Sequence, residues 1–303
     1  MIIVGAGLAG LLAANMLRHY SPAILEKQSS LPNNHSAVLR FRTPSVGDVL
    51  NIPFKKVKLI KSYLPFSNPV TDALLYSKKN SSTIRSDRSI IEGTVVADRW
   101  IAPDDLIQQM SGSCQIAYDV KVDFVSPTKK PIISTIPMPV LMKALGYLHD
   151  QTIFKYREGY SIRAKVRDCE AYVSLLIPDP KWDFSRISIT GDELIIEVPI
   201  EREMSQTYAE LLASHAIKLL GVDDDRIEEI KIKKQSFAKI VPIDDNIRKE
   251  FMHWATDEHN IYSLGRFATW RPGLLLDDLI KDIRLINGWV KKGANKYDLA
   301  KHR

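Results

Sequence analysis

Three apolar residues, Ile2, Ile3 and Val4, follow Met1, and after a glycine-broken turn apolar positions recur at helical spacing from Leu8 to Leu17. The short run reads as a buried strand and the run after it as a helix. A second apolar run, Ala23 to Leu25, ends on Glu26. A polar loop covers residues 27–34, and 47–75 reads as helical in parts, interrupted by Pro53, Pro65 and Pro69. Residues 77–89, rich in Ser, Lys and Arg, read as a loop. A helix is predicted from Pro103, with Asp104 and Asp105 in its first turn, where acids suit the helix dipole. The stretch 114–126 alternates as paired strands, and Ile132 to Ile136 is an apolar strand with a turn at Pro137 and a helix from near Pro139.

Between 153 and 200 the alternation predicts antiparallel strands, and a helix from Gln206 to Leu220 ends at Gly221. The cluster Asp223, Asp224 and Asp225 reads as a solvated loop. NIYSLGRF, residues 260–267, is a strand entering a turn, and the last helix, from near Leu274, is amphipathic. The first strand and the last helix lie at opposite ends of the chain. The expected fold is α/β: a Rossmann-like nucleotide-binding domain from both chain ends, residues 1–45, 85–150 and 236–303. An α+β substrate domain with an antiparallel sheet, residues 46–84 and 151–235, is inserted between them.

The turn between the first strand and helix carries the chemistry. Gly5, Gly7 and Gly10 form G-x-G-x-x-G, and Glu26 follows at the spacing of a ribose-binding acid. Gly5 permits the tight turn, Gly7 lets a diphosphate approach the backbone, and Gly10 lets helix and strand pack closely. The helix N-terminus, at Leu8 and Ala9, supplies unpaired N–H groups and a positive dipole end. No second such motif occurs, so one nucleotide is expected, with the rest of the chain serving the substrate.

Composition narrows the alternatives. The 303 residues are 45% hydrophobic and 26% charged, ordinary for a soluble protein with a substantial core. No run approaches the ~18 apolar residues that span a bilayer, and no basic segment of a signal peptide precedes Ile2. Two cysteines, Cys114 and Cys169, build no disulfide framework, and the seven histidines show no ligand spacing, so no metal is expected. A cytoplasmic location and no membrane partner follow as expectations. Net charge is +6, with clusters at Lys55–Lys61, Lys231–Lys234 and Lys291–Lys296. These are either solvated faces or an attraction for a polyanion or phosphorylated substrate. No signature of sequence-specific DNA reading accompanies them.

A second anchor lies in YSLGRFATWRPGLLLDD, residues 262–278. A strand delivers Gly265 and Arg266 into a turn, where glycine allows close approach and arginine offers fixed donors. A helix start near Leu274 points back at the same ligand, unless an Arg–Asp pair merely braces it.

The N-terminal fingerprint, ISTIPMP around Thr135 and GRFATWRP together resemble flavoenzymes with a glutathione-reductase-type FAD domain. Within them, the pattern is similar to the UDP-galactopyranose mutase and amine-oxidase-like branch. Gly265, Arg266, Trp270, Arg271 and Asp277 echo the late Gly-Arg, aromatic-Arg pair and acidic helix start of mutases. FSRISI around Arg186 resembles the mutase strand whose arginine faces the active site. The whole is also similar to small phage-encoded flavoproteins of DNA hypermodification pathways. The resemblance implies FAD held by Gly5, Gly7, Leu8, Ala9, Gly10, Glu26 and Lys27, with Val120, Thr135, Gly265, Arg266 and Leu274 completing the site. NNHSAVLRFRT replaces the basic glycine-rich loop of mutases, so Arg40 or Arg42 is expected to serve the phosphates.

FAD would supply the reactivity and the protein position and electrostatics. His35 is a candidate base or donor, or an ordinary loop histidine. Lys239 is placed to hold a water near the flavin as lysines do in amine oxidases, or is a surface strand lysine. Arg186 would bind a substrate carboxylate or phosphate, or is a structural ion pair. Trp270 would wall the pocket or stack on a base, or packs in the core, and Arg271 would be a second anion clamp. The expected activity is FAD-dependent oxidation of an amine C–N bond. The resemblance points to a small-molecule or modified-nucleotide substrate, including an aminoacylated thymine carried by DNA. A mutase-like flavoenzyme acting on a sugar nucleotide, and a flavin-containing binding protein without turnover, are the alternatives.

Overall fold

The computed structural model describes residues 1–32, 39–81, 84, 93–122, 124 and 130–292. The chain runs β1 (Ile2–Val4), α1 (Leu8–Met16), β2 (Ala23–Leu25), α2 (Ser45–Leu50), β3 (Lys55–Tyr63), α3 (Pro69–Asn80) and β4 (Thr94–Ile101). It continues through α4 (Leu106–Ser111), β5 (Gln115–Ala117), β6 (Ile132–Ser134), α5 (Met138–Ala144), β7 (Tyr156–Val166), β8 (Ala171–Leu176) and β9 (Arg186–Gly191). It ends with β10 (Glu193–Val198), α6 (Gln206–Lys218), β11 (Ile227–Ile240), α7 (Asp245–His259), β12 (Ile261–Ser263) and α8 (Leu276–Lys292).

Among the described residues the strands form two sheets. One is parallel, in the order β12-β6-β1-β2-β5, with Ile3 paired to Ile24 on one side and Ile133 on the other. Ile3, Ile24 and Ile133 are fully buried, as central parallel strands require. α1, α4 and α8 cover one face through Leu11, Leu12, Met110 and Ile283, and α5 and α7 cover the other through Leu141, Phe251 and Ala255. Chain order departs from β1 in both directions, through β2 on one side and β6 on the other. The ends of β1 and β6 therefore flank a topological switch point, where open α/β sheets bind ligands.

The second sheet has the order β11-β7-β10-β9-β8-β3-β4 and is antiparallel except for the β3–β8 pair. One of its faces packs Ile162, Ile187, Leu194 and Ile196 against Leu212, Ala213, Ala216 and Ile217 of α6. The α/β class, the use of both chain ends and the inserted antiparallel sheet match the sequence expectation.

Several elements differ from it. Residues 55–63, expected within a partly helical stretch, form β3, because Val57, Leu59 and Tyr63 are buried at period two between exposed lysines. Residues 94–101, expected in the nucleotide-binding part, form the edge strand β4 beside β3. Of the described residues in 114–126, Gln115–Ala117 forms the strand, and it joins β2 in parallel; residues 123, 125 and 126 lie outside the described residues. α3 continues through Asn80 into the expected loop. α4 starts at Leu106, with Pro103 forming the preceding turn. Helix α7 was not expected; Asp244 caps it by accepting from the Asn246 N–H, and Asn260 ends it at a φ of 54°. The Asp223–Asp225 loop includes one 3-10 turn.

Candidate active site

Where β1 meets β6, three glycines have three different reasons to be glycine. Gly5 sits at φ +99°, and a Cβ there would collide with the Thr135 side chain. Thr135 is itself fixed, donating its hydroxyl to the Val4 carbonyl at 2.9 Å and its N–H at 3.0 Å to the same oxygen. At Gly10 a Cβ would collide with the Gly5 carbonyl oxygen and lie 3.1 Å from its carbon and 3.4 Å from Ile3 Cγ2. Gly10 is thus demanded by helix–strand packing. Gly7 has an ordinary φ of −68°, and a Cβ built on it meets no protein atom within 4 Å. Nothing among the described residues requires a glycine at position 7, and the space above its backbone is open.

The helix that begins there keeps its donors available. α1 has no side-chain cap and no acid in its first turn. The first-turn N–H groups at Leu8 and Ala9 thus have no side-chain acceptor among the described residues, as a helix start able to take an anion requires. Glu26 sits beside it at the end of β2, half-buried, with Oε2 accepting from the Ala6 N–H at 2.7 Å and Oε1 from the Gln28 N–H at 2.9 Å. Each oxygen keeps lone pairs for a further donor such as a ribose hydroxyl. Val120 lies alongside, its N–H donating to the Glu26 carbonyl at 2.9 Å, while Lys27 is exposed.

The late turn lands on the same place. Gly265, at φ +102°, lies so close to α1 that a Cβ would be 3.2 Å from that of Ala9. Thr269 donates its N–H and hydroxyl to the Gly265 carbonyl, so residues 265–269 close as a helical turn. Arg266 is half-buried and stacks over Phe267, 5.6 Å from its ring centroid. Leu274 is half-buried against the core beneath α1 and α8. The expected second anion-binding helix start is not there: α8 begins at Leu276, and its own acids occupy its N-terminus. Asp278 accepts from the Leu275 N–H at 2.9 Å, and Asp277 from the Arg42 N–H at 3.0 Å and the Thr43 hydroxyl.

Other expected ligands are committed elsewhere. Arg40 does not reach the glycine turn. It donates to Thr190 Oγ1 at 2.9 Å and to the Val173 and Ile189 carbonyls at 2.8 and 2.7 Å, tying the post-Glu26 segment to the second sheet. Burial, with Arg186 and Arg99 nearby, pushes its guanidinium down to about 9. Arg271 is no second anion clamp; it is ion-paired with the buried Asp282 of α8 and donates to Thr269 Oγ1. Trp270 is 1% exposed, with its indole N–H bonded to the Val241 carbonyl at 2.8 Å and its ring edge-on to Phe154, so it packs in the core. His35 lies outside the described residues.

Arg186 and Lys239 are brought together. Both bind Glu197: Arg186 through Oε1, and Lys239 through Oε2 at 2.6 Å. The Lys239 and Glu197 side chains are 15% and 17% exposed, so this is a half-dry cluster rather than a surface pair. It lies on the sheet face opposite α6. Nearby on β11, Phe237 packs against Phe267 and Trp270, joining that edge of the sheet to the arginine turn. Glu197 was missed in the sequence; its alternation with Ile196 and Val198 marked a strand but not its partners. Among the described residues no group of His, Cys, Asp or Glu is arranged to hold a metal ion, and no helix is long and apolar enough to cross a membrane.

No family model and no curated protein sequence matches this chain. Solved structures do match its fold. A reduced UDP-galactopyranose mutase aligns with 96% of this chain and 94% of its own at a TM-score of 0.65 and 14% identity. The L-proline dehydrogenase of P. horikoshii aligns over 98% and 94%, at a TM-score of 0.57 and 9% identity. A complex of aklavinone-11 hydroxylase with FAD and aklavinone aligns over 96% of this chain and 62% of that one, at a TM-score of 0.54 and 12% identity. At these identities the likeness is one of fold: a parallel sheet covered by helices with an inserted mixed sheet.

Proposed function

We propose that this chain is an FAD-dependent oxidoreductase acting on the C–N bond of an amine. The observation that carries the cofactor is Gly7: a residue without a side chain, facing open space, between two glycines that internal contacts explain. The uncapped start of α1 and the Glu26 carboxylate supply what a dinucleotide's diphosphate and ribose need. Gly265, seated on Ala9, and the adjoining Arg266 would meet the remainder of the group. The hydroxylase of like fold was solved with FAD.

FAD, when bound, supplies hydride acceptance. This chain's residues would orient the substrate and manage its proton. An amine must be neutral before its carbon gives up hydride, and Lys239, held by Glu197, is the candidate group to position a water or the substrate nitrogen. The resulting imine would hydrolyse with water, breaking the C–N bond. An aminoacylated modified thymine, as a nucleotide or within DNA, is the candidate substrate in this class.

The discriminating experiment is anaerobic mixing of the FAD-loaded protein with amines. Bleaching of the flavin absorbance by an amine is the expected result, and abolition of that bleaching by Lys239→Met would place Lys239 in the reaction. The fold likeness to the mutase favours one second reading, redox-neutral turnover of a sugar nucleotide. It predicts no bleaching by amines and activity only after prior reduction of the flavin.

A further inference from the structure

Trp270 stands in a backbone conformation that its side chain disfavours. Among the described residues seven non-glycines have positive φ. Six are Ser, Asn, Asp or Glu, and the seventh is Trp270, at φ 47° and 1% exposed. In that region the Cβ of a bulky residue crowds its own backbone, so the conformation persists only where the surroundings impose it.

Two sets of contacts impose it, and they lead to different places. The first is the turn that opens at Gly265. The Arg271 N–H donates to the Arg266 carbonyl at 3.0 Å and the Trp270 N–H to the Phe267 carbonyl at 3.4 Å. This is the bond pair that ends a helical turn on a left-handed residue, a place ordinarily held by glycine. The second is the end of β11. The Trp270 indole N–H donates to the carbonyl of Val241, two residues past Lys239, at 2.8 Å. Lys239 and Ile240 are paired with Arg157 and Tyr156 of β7, and the Val241 N–H donates to the Lys155 carbonyl at 2.9 Å. The ladder is irregular between Gln235 and Lys239, and Phe237, inside that interruption, packs on Phe267 and Trp270 at centroid distances of 5.9 and 6.1 Å. A glycine at 270 would close the same turn without strain, but it would have no indole to hold Val241.

We propose that Trp270 is a positioning residue that sets Lys239 against the cofactor turn. Its backbone closes the turn that carries Gly265 and Arg266, and its indole holds the end of the strand that carries Lys239. The proposal rests on the reading of that turn as flavin-binding and of Lys239 as the group that meets the substrate. A ligand gripped at Gly265 and Arg266 then steadies β11 beside Lys239 without touching it.

The test is amide hydrogen exchange, read by mass spectrometry on the flavin-free and the FAD-loaded protein. Trp270→Phe keeps an aromatic ring and removes the indole N–H. Trp254→Phe, on α7 against Tyr147 and Phe251, is the control for a general loss of packing. In the flavin-free protein Trp270→Phe should speed exchange about tenfold or more in both 265–271 and 239–241, the scale of losing a buried hydrogen bond. Trp254→Phe should single out neither segment. In the wild type, FAD should slow exchange at 239–241 as well as at 265–271, and in Trp270→Phe at 265–271 alone. If Trp270→Phe does not fold, Phe237→Leu, which removes the second bridge, carries the same expectation. Exchange at 239–241 that ignores the substitution in the flavin-free protein would overturn the proposal. So would wild-type protein in which FAD slows 265–271 and leaves 239–241 unchanged. A protein that takes up no FAD, yet shows the joint rise in both segments, would refute the flavin reading and leave the coupling of turn and strand standing.

Discussion

Gly7→Val is expected to give a folded protein that does not retain flavin. The added side chain enters open space, so the packing of α1 on β1 has no reason to change. It would stand where the diphosphate must approach the backbone, and the expected loss of FAD affinity is at least about a hundredfold, or ~3 kcal/mol. Circular dichroism and thermal melting should match the wild type while visible absorbance after desalting is lost. Gly10→Val provides the contrast, because its side chain would run into the Gly5 carbonyl. It should destabilise the fold itself by about 1–3 kcal/mol or more. If Gly7→Val melts early as well, the open space at position 7 is not what its geometry implies.

Glu197→Gln is expected to be the most damaging single charge removal on the second sheet. Its one carboxylate is shared by Arg186 and Lys239, whose side chains are 31% and 15% exposed. Breaking a buried ion pair costs about 3–5 kcal/mol, and the partial exposure of Arg186 puts the expected value near the lower end. That corresponds to a fall in Tm on the order of 5–10 °C. The exposed pair Lys55–Glu170, at 61% and 70%, serves as control: Glu170→Gln should leave the melting temperature unchanged. A Glu197→Gln protein as stable as this control would show that the cluster is well hydrated.

What was legible in the sequence is what local chemistry dictates. The spacing of Gly5, Gly7 and Gly10 encodes a turn and a packing distance within ten residues of chain, and the structure supplies the contact for each glycine that needs one. Glu26 and Gly265 were read the same way, as punctuation at the ends of apolar runs, and Thr135 from the family resemblance of ISTIPMP. The long-reach side chains were not legible. Arg40 lies 150 residues from Thr190, and Arg271 finds Asp282 on the next helix rather than a ligand. A guanidinium advertises its appetite for anions in any context, and only the fold says which acceptor it meets. Trp270 was drawn by a motif toward the site, whereas its indole N–H bonds to a carbonyl 29 residues away, deep in the core. β3 was obscured because its lysines masked the period-two burial of Val57, Leu59 and Tyr63, and β4 because its partners lie in a part of the sheet assembled from distant segments.

The central claim is that the glycine turn and the arginine turn, brought together at Ala9 and Gly265, grip one FAD. The direct measurement is the visible spectrum of the wild-type protein after incubation with excess FAD and desalting. A flavin spectrum at one FAD per chain, lost in Gly7→Val, is the predicted result. A well-folded protein that emerges colourless, or a Gly7→Val variant that stays as yellow as the wild type, would contradict it.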